Sequence, residues 1–212
     1  MQTIELFSGT KSFSKVMAEH GFSTLTIDND CNLAPDICKS IDDITDLPKA
    51  DILWASPPCQ AFSVAAIGKN WHRDGTPKHQ RAVDAGNTVI RTLWLIWKNK
   101  PTWWFIENPR GMLRKLPFME GFRRVTVSYC QYGDTRQKPT DIWTNAHWWK
   151  PRPMCLPGAS CHEAAPRGAR TGTQGIDGAK DRGRIPAELF EEILRQLPVV
   201  NPPFEKVLEY GI

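Results

Sequence analysis

The sequence predicts an α/β protein whose core is a mostly parallel sheet with helices on both faces. Three observations carry this. Short apolar runs alternate with stretches of helical spacing, the pattern of successive βαβ units. Chemically distinctive segments, Phe7-Ser8-Gly9, Pro57-Pro58-Cys59 and Glu107-Asn108-Pro109, follow three of those apolar runs, where ligands sit in parallel sheets. The chain has 212 residues, 41% of them hydrophobic, enough for one sizeable core.

Taken in order, residues 2–7 read as a strand and Ser8-Gly9-Thr10 as a turn. Ser12–His20 has helical spacing, with Phe13, Val16 and Met17 on one face and Gly21 as its stop. Ser23–Asp28 alternates like a strand and ends in acids, and Asp51–Ala55 is a buried strand. Val83–Lys98 places apolar residues at 89, 90, 93, 94 and 97, a helix that Pro101 ends. Thr102–Ile106 is the next strand, with Glu107 emerging at its end. Arg123–Cys130 is β-rich and Asp141–Thr144 is a short strand. Ile185–Leu197 returns to helix, with Pro186 near its start and Leu189, Phe190, Ile193, Leu194 and Leu197 on one face. The tryptophans at 94, 97, 103, 104 and 143 read as core.

Three regions follow: a core at 1–145, an irregular segment rich in proline, glycine and arginine at 146–184, and a C-terminal helical region at 185–212 that returns to the core. No run of about 18 apolar residues exists, so no membrane partner is expected. The N-terminus has neither the basic nor the apolar region of a signal peptide. Six cysteines without such a signal read as mostly reduced thiols of a cytoplasmic protein, in a bacterial or phage-infected cell. A net charge of +4 permits a nucleic-acid partner without demanding one.

Cys59 stands out chemically. Only a thiolate attacks well, and a free thiol has a pKa near about 8.5. Pro57 and Pro58 restrict the backbone before it, so the sulfur can be aimed with little entropy left to lose. A buried structural thiol is the alternative. Glu107 follows an apolar strand, where burial raises a carboxyl pKa and lets it donate a proton. A solvated loop acid is the alternative there.

Leu6-Phe7-Ser8-Gly9, Pro58-Cys59-Gln60 and Glu107-Asn108-Pro109, in that order, resemble the motifs of DNA cytosine-5 methyltransferases, most of all the short bacteriophage-type members. The resemblance covers residues 3–145 well and the last helix loosely. It implies a Rossmann-like class I S-adenosylmethionine-dependent fold. It also implies covalent catalysis. Cys59 attacks C6 of a cytosine, Glu107 protonates N3, and C5 takes a methyl from S-adenosylmethionine. The implied partner is double-stranded DNA with the cytosine flipped out of the stack. A monomer is the default, and shielding of viral DNA from restriction is the implied role.

Carried onto this sequence, the resemblance assigns cofactor binding to Phe7, Ser8, Gly9, Thr10, Asp28, Asn29, Asp36, Ile37 and Pro58. The family usually has glycine where this chain has Lys11 and Ser12, and often an aromatic residue at Asn29. Substrate contacts fall to Gln60, Ser63, Asn108, Arg110, Arg73, Arg136 and Lys138. The family presents two arginines where this chain has Pro139 and Asp141, so Arg136 or Lys138 substitutes. Lys69, Arg73, Lys78 and Arg81 follow Cys59 in a basic stretch suited to phosphates. Within 146–184, Trp148 and Trp149 precede Arg152, Arg167, Arg170, Lys180, Arg182 and Arg184, a mixture suited to DNA. Cys155, Cys161 and His162, with His147 upstream, lack a CxxC pair, and no metal is assigned.

Three other readings stay open. Ser56-Pro57-Pro58 echoes amino-methyltransferases, which act on N4 of cytosine or N6 of adenine and need an aromatic residue where this chain has Cys59. Pro-Pro-Cys-Gln also occurs in relatives that modify transfer RNA. A catalytically weak, cofactor-binding regulatory relative is the third.

Overall fold

The computed structural model describes residues 1–165 and 183–198. Its sheet contains β1 (Gln2–Leu6), β2 (Ser23–Asp28), β3 (Ile37–Cys38), β4 (Ile52–Ala55), β5 (Trp103–Pro109), β6 (Arg124–Ser128) and β7 (Pro139–Thr144). The order is β3-β2-β1-β4-β5-β7-β6. Only β7 runs against its neighbours β5 and β6. The predicted α/β class, a mostly parallel sheet with helices on both faces, is what the chain forms.

The chain builds outward from β1 to β3, then crosses back to lay β4 on the other side of β1. Leu6 and Ala55 are paired at the ends of these two strands. Phe7-Ser8-Gly9 and Ser56–Cys59 therefore leave the sheet side by side, at the crevice where the strand order reverses.

The described elements also include helices α1 (Ser12–Glu19), α2 (Ile67–Asn70), α3 (Gln80–Asn99) and α4 (Ala187–Gln196), and five short 3-10 turns. Strand alternation divides the core between two faces. Ile52, Trp54 and Phe105 pack with Phe13, Val16 and Met17 of α1 and Leu189, Phe190 and Ile193 of α4. Leu53, Ala55 and Ile106 pack with Ala82, Val89, Leu95 and Ile96 of α3. Trp54 is fully buried between Phe13, Phe105 and Phe190, with centroids at 5.8, 5.6 and 4.8 Å. Such aromatic pairs contribute roughly 0.5–1.5 kcal/mol each beyond their buried area.

No side chain caps α1 from Lys11. Glu5 of β1 does that work instead, its carboxylate accepting from the amides of Phe13 (3.2 Å) and Ser14 (2.9 Å). Burial raises its pKa, while these amides and the Ser14 hydroxyl pull it down.

Three expectations need correction. Helix α3 turns a different face inward: Ala82, Gly86, Val89 and Ile96 are buried, while Ile90 and Trp97 are exposed, Trp97 by 70%. Trp94 is also partly exposed and carries Arg91 on its ring at 4.2 Å, so neither it nor Trp97 belongs to the core. Strand β5 continues to Pro109 because β7 pairs with it as far as Thr140, so Glu107 lies inside the strand rather than beyond it. Cys31 and Cys38 form a disulfide, and the other four of the six cysteines remain thiols, as the expectation of mostly reduced cysteines has it.

The described part of the 146–184 segment contains no helix or strand before Gly183. Trp149 is buried there, and the Arg152 guanidinium bonds Glu188 (2.7 Å) and Glu192 (3.2 Å) of α4. These two anchor the segment to the core instead of facing a ligand. Arg167, Arg170, Lys180 and Arg182, and residues 199–212 of the C-terminal region, lie outside the described residues.

Candidate active site

Two hydrogen bonds fasten the cysteine turn to β5. The Asn108 side-chain amide donates to the Pro57 carbonyl at 2.9 Å, wholly buried. Beyond the turn, the Met112 amide donates to the Phe62 carbonyl at 2.7 Å, and Ser63 bridges to Gly111. Between these anchors, Phe62 and Ser63 donate their amides to the Cys59 carbonyl, both at 3.0 Å. The half-buried Cys59 thus sits on a closed turn held at each end against the segment that carries Glu107. Gly111 is required by this approach: a Cβ there would lie 2.2 Å from the Phe62 oxygen.

Glu107 is almost fully buried. Desolvation pushes its carboxyl above the usual range, against the pull of the Lys138 ammonium. The Tyr129 hydroxyl donates to its Oε1 at 3.0 Å, and the neighbouring Ser56 hydroxyl, which accepts from the Trp54 indole at 2.9 Å, also lowers its pKa. Burial raises the Tyr129 pKa, so its phenol keeps the proton it donates. The site therefore holds a thiol on a rigid turn and a neutral-leaning carboxyl on the adjoining strand. That pairing suits nucleophilic attack coupled to proton donation.

The Lys138 charge pulls on this carboxyl, while its ammonium donates to the Arg184 carbonyl at 3.3 Å. Lys138 is buried with its ammonium 4.7 Å from the Tyr129 ring centre, and its backbone takes a positive φ of 34°. Arg136 instead pairs with Glu163 at 3.1 Å and the Ala164 carbonyl at 2.9 Å. Asp141 is fully buried and bonds Arg114 and Thr126.

The crevice at the reversal of strand order opens beside the turn. Phe7, Asp28, Asn29 and Pro58 line it, as do Ile41, Asp42 and Thr88. Asp28 accepts the Gly9 amide on one oxygen (2.8 Å) and the Asp30 amide on the other (2.9 Å), fixing the glycine turn against β2. Phe7, Gly9 and Lys11 all take left-handed backbone, with φ of 57°, 46° and 56°. Left-handed backbone costs a non-glycine residue about 1–2 kcal/mol, so the turn stores strain. Thr10 bonds the Ser12 hydroxyl at 2.7 Å, and Ser8 Oγ is buried with no partner among the described residues. Asp36 does not reach this crevice: its carboxylate is held by the Thr26 amide (2.8 Å) and hydroxyl (2.7 Å), which lower its pKa. Ile37 lies on β3.

The stretch after Cys59 is folded. Trp71 is buried against Phe62 at 5.8 Å and donates to the Ala61 carbonyl at 2.8 Å. The Lys78 ammonium binds the Gly68 carbonyl at 2.8 Å, while Lys69, Arg73 and Arg81 are exposed. Gln60 and Arg110 are exposed beside the turn, and Ser63 is half-buried.

Sequence reasoning missed Tyr129, Ser56, Asp42 and Gly111. Ser56 adjoins the prolines and Gly111 adjoins Pro109-Arg110, so nearness to the motifs was their one signal. Tyr129 sits 22 residues from Glu107 and gave none.

Residues 1–117 match the family described as C-5 cytosine-specific DNA methylase. Over 170 residues the chain is 29% identical to a "Probable DNA (cytosine-5)-methyltransferase" of Frog virus 3 (isolate Goorha), covering 76% of this chain and 78% of that one. Among solved structures it is similar to the Entamoeba histolytica methyltransferase EhMeth, with 16% identity, 68% of this chain, 52% of that chain and a TM-score of 0.46. It is also similar to the S. pombe Dnmt2 methyltransferase, with 14% identity, 68% of this chain, 48% of that chain and a TM-score of 0.43. The chain spans about half the length of these solved structures. Since the match takes in more than half of the chain, including the glycine turn, the cysteine turn and the Glu107 strand, the chain belongs to the C-5 cytosine-specific DNA methylase family.

Proposed function

We propose that this protein methylates C5 of cytosine in double-stranded DNA, using S-adenosylmethionine. The observation that carries the reading is the double fastening of the Cys59 turn to the Glu107 strand, through Asn108–Pro57 and Met112–Phe62. A covalent mechanism needs its nucleophile and its acid held in fixed relation, because misplacement by about 1 Å costs roughly 100-fold in rate.

The crevice beside the turn fits the cofactor. Its apolar walls at Phe7, Ile41 and Pro58 suit an adenine ring. Asp28 keeps further lone pairs for ribose hydroxyls, and the unpartnered Ser8 hydroxyl offers a buried polar contact. Gly9 and Thr10 would line the turn side and Asn29 the ribose side. Asp42 takes the acidic role that the family resemblance assigned to Asp36. When bound, S-adenosylmethionine supplies an electrophilic methyl group.

The chain's own groups do the rest. Cys59, as thiolate, bonds C6 of the cytosine while Glu107 gives its proton to N3, so the ring's electrons collect at C5. Tyr129 holds Glu107 by its hydrogen bond, and the Lys138 charge biases its proton. Once C5 carries the methyl group, water takes the C5 proton, the thiolate leaves C6 and N3 returns its proton to Glu107, which restores the aromatic ring and the starting state of the site. Gln60, Ser63 and Arg110 border the turn and contact the flipped nucleotide. Arg73, with Lys69 and Arg81, meets phosphates. The cytosine must leave the stack to be reached. As a phage-type enzyme, the protein would mark viral DNA against restriction.

The test is labelled methyl transfer to duplex DNA and to transfer RNA, followed by nucleoside analysis. The reading expects 5-methylcytosine from DNA. N4-methylcytosine, N6-methyladenine or methylation of transfer RNA alone would overturn it.

A further inference from the structure

We infer that Cys130, Cys155, Cys161 and His162 form a closed structural zinc site. The one juxtaposition that carries this is the convergence of their ligand atoms, all within 4.8 Å of one another. Sequence spacing assigns no metal here. The fourth ligand is not His147 but Cys130, contributed by a different element, the turn Tyr129–Tyr132 after β6.

Three of the six edges match those of a tetrahedron. Zn–S bonds of about 2.3 Å and Zn–N bonds of about 2.0–2.1 Å place tetrahedral S–S edges near about 3.8 Å and S–N edges near about 3.6 Å. Cys130–Cys161 is 3.7 Å, Cys155–His162 Nδ1 is 3.6 Å and Cys161–His162 Nδ1 is 3.5 Å. Cys130–Cys155, at 3.1 Å, is shorter and lengthens to admit an ion. Three sulfurs and one imidazole nitrogen are a soft set that favours zinc over magnesium or calcium. Four protein ligands leave no open position, which marks the centre as structural rather than catalytic.

The surroundings support thiolates. The Gln131 side-chain amide donates to Cys161 Sγ at 3.4 Å and to Cys130 Sγ at 3.9 Å. Such outer donors orient and stabilise metal-bound sulfur. Binding displaces the protons of three thiols, and His162 coordinates through Nδ1 while Nε2 keeps its proton. No helix or strand holds residues 151–162, so a metal bound to Cys130 would fasten this stretch to the end of β6. The same turn begins at Tyr129, which bonds Glu107, so the centre also steadies the catalytic carboxyl.

The experiment is metal analysis of the full chain purified under reducing conditions without added metal, then cobalt(II) titration of the metal-stripped protein. The inference expects zinc equimolar with chain, and thiolate-to-cobalt charge-transfer bands with intense tetrahedral d–d bands. Cys155→Ser should lose zinc to background, whereas His147→Ala should keep it. Absence of zinc together with absence of charge-transfer bands would overturn the site, as would full zinc retention in Cys155→Ser. If that variant does not fold, the cobalt spectrum of the unsubstituted protein decides.

Discussion

Gly111→Ala tests the fastening of the cysteine turn without touching a reacting group. The new Cβ would lie 2.2 Å from the Phe62 oxygen, where side-chain carbons do not come within 3.0 Å. The two segments must part by about 0.8 Å, and both sides of the contact are backbone, so no side chain can swing away. Overpacking of this kind costs roughly 1–3 kcal/mol of stability. Displacement of the nucleophile by nearly 1 Å should lower kcat by about 100-fold. The assay is single-turnover methyl transfer to duplex DNA, with Tm and S-adenosylmethionine affinity measured on the same preparation. The expectation is a folded protein with near-normal cofactor affinity and a rate lowered about 100-fold. Full activity would refute the claim that this contact positions Cys59, and so would a loss of cofactor binding that accounts for the whole effect.

Asn108→Ala removes the buried donor to the Pro57 carbonyl and should cost roughly 1–3 kcal/mol, read by denaturant unfolding, together with most of the activity. Glu107→Gln should lower kcat by about 10²–10⁴-fold. Folding favours the neutral Glu107 carboxyl, so its contribution to stability is full below its unfolded pKa and is lost as pH rises through the raised folded value. Thermal scans should therefore show Glu107→Gln gaining on the unsubstituted protein toward alkaline pH. Tyr129→Phe removes a donor that lowers the Glu107 pKa, so the basic limb of kcat/KM against pH should move upward. Lys11→Gly relieves a left-handed residue and should stabilise by up to about 1 kcal/mol, read as a rise in Tm.

The parts legible in the sequence were those fixed by local pattern. Strands β1, β4 and β5 are apolar runs, and the residues after β1 and β4 meet at one crevice because parallel strands end together. The rest depended on partners distant in the chain. The end of β5 is set by β7, and β3 is too short to show a period. The tryptophans of α3 point to one face, but Ala82 and Gly86, small residues that mark close packing, lie on the buried one. Asp28 announced itself at the end of β2, whereas Asp42 reaches the crevice from a single 3-10 turn, Ile41–Asp43, too short to show a period. Lys138 was expected as a substitute for an arginine, but its position beside Glu107 depends on a left-handed backbone that the sequence does not declare.

The most direct measurement uses duplex DNA carrying 5-fluorocytosine, incubated with the protein and S-adenosylmethionine and analysed by peptide mass mapping. Because fluorine cannot leave C5 as a proton does, the thiol should remain bonded to the base, and the account predicts a stable adduct on the peptide containing Cys59 that is absent in Cys59→Ala. Methyl transfer by Cys59→Ala at the unsubstituted rate, or an adduct on a different residue, would contradict it.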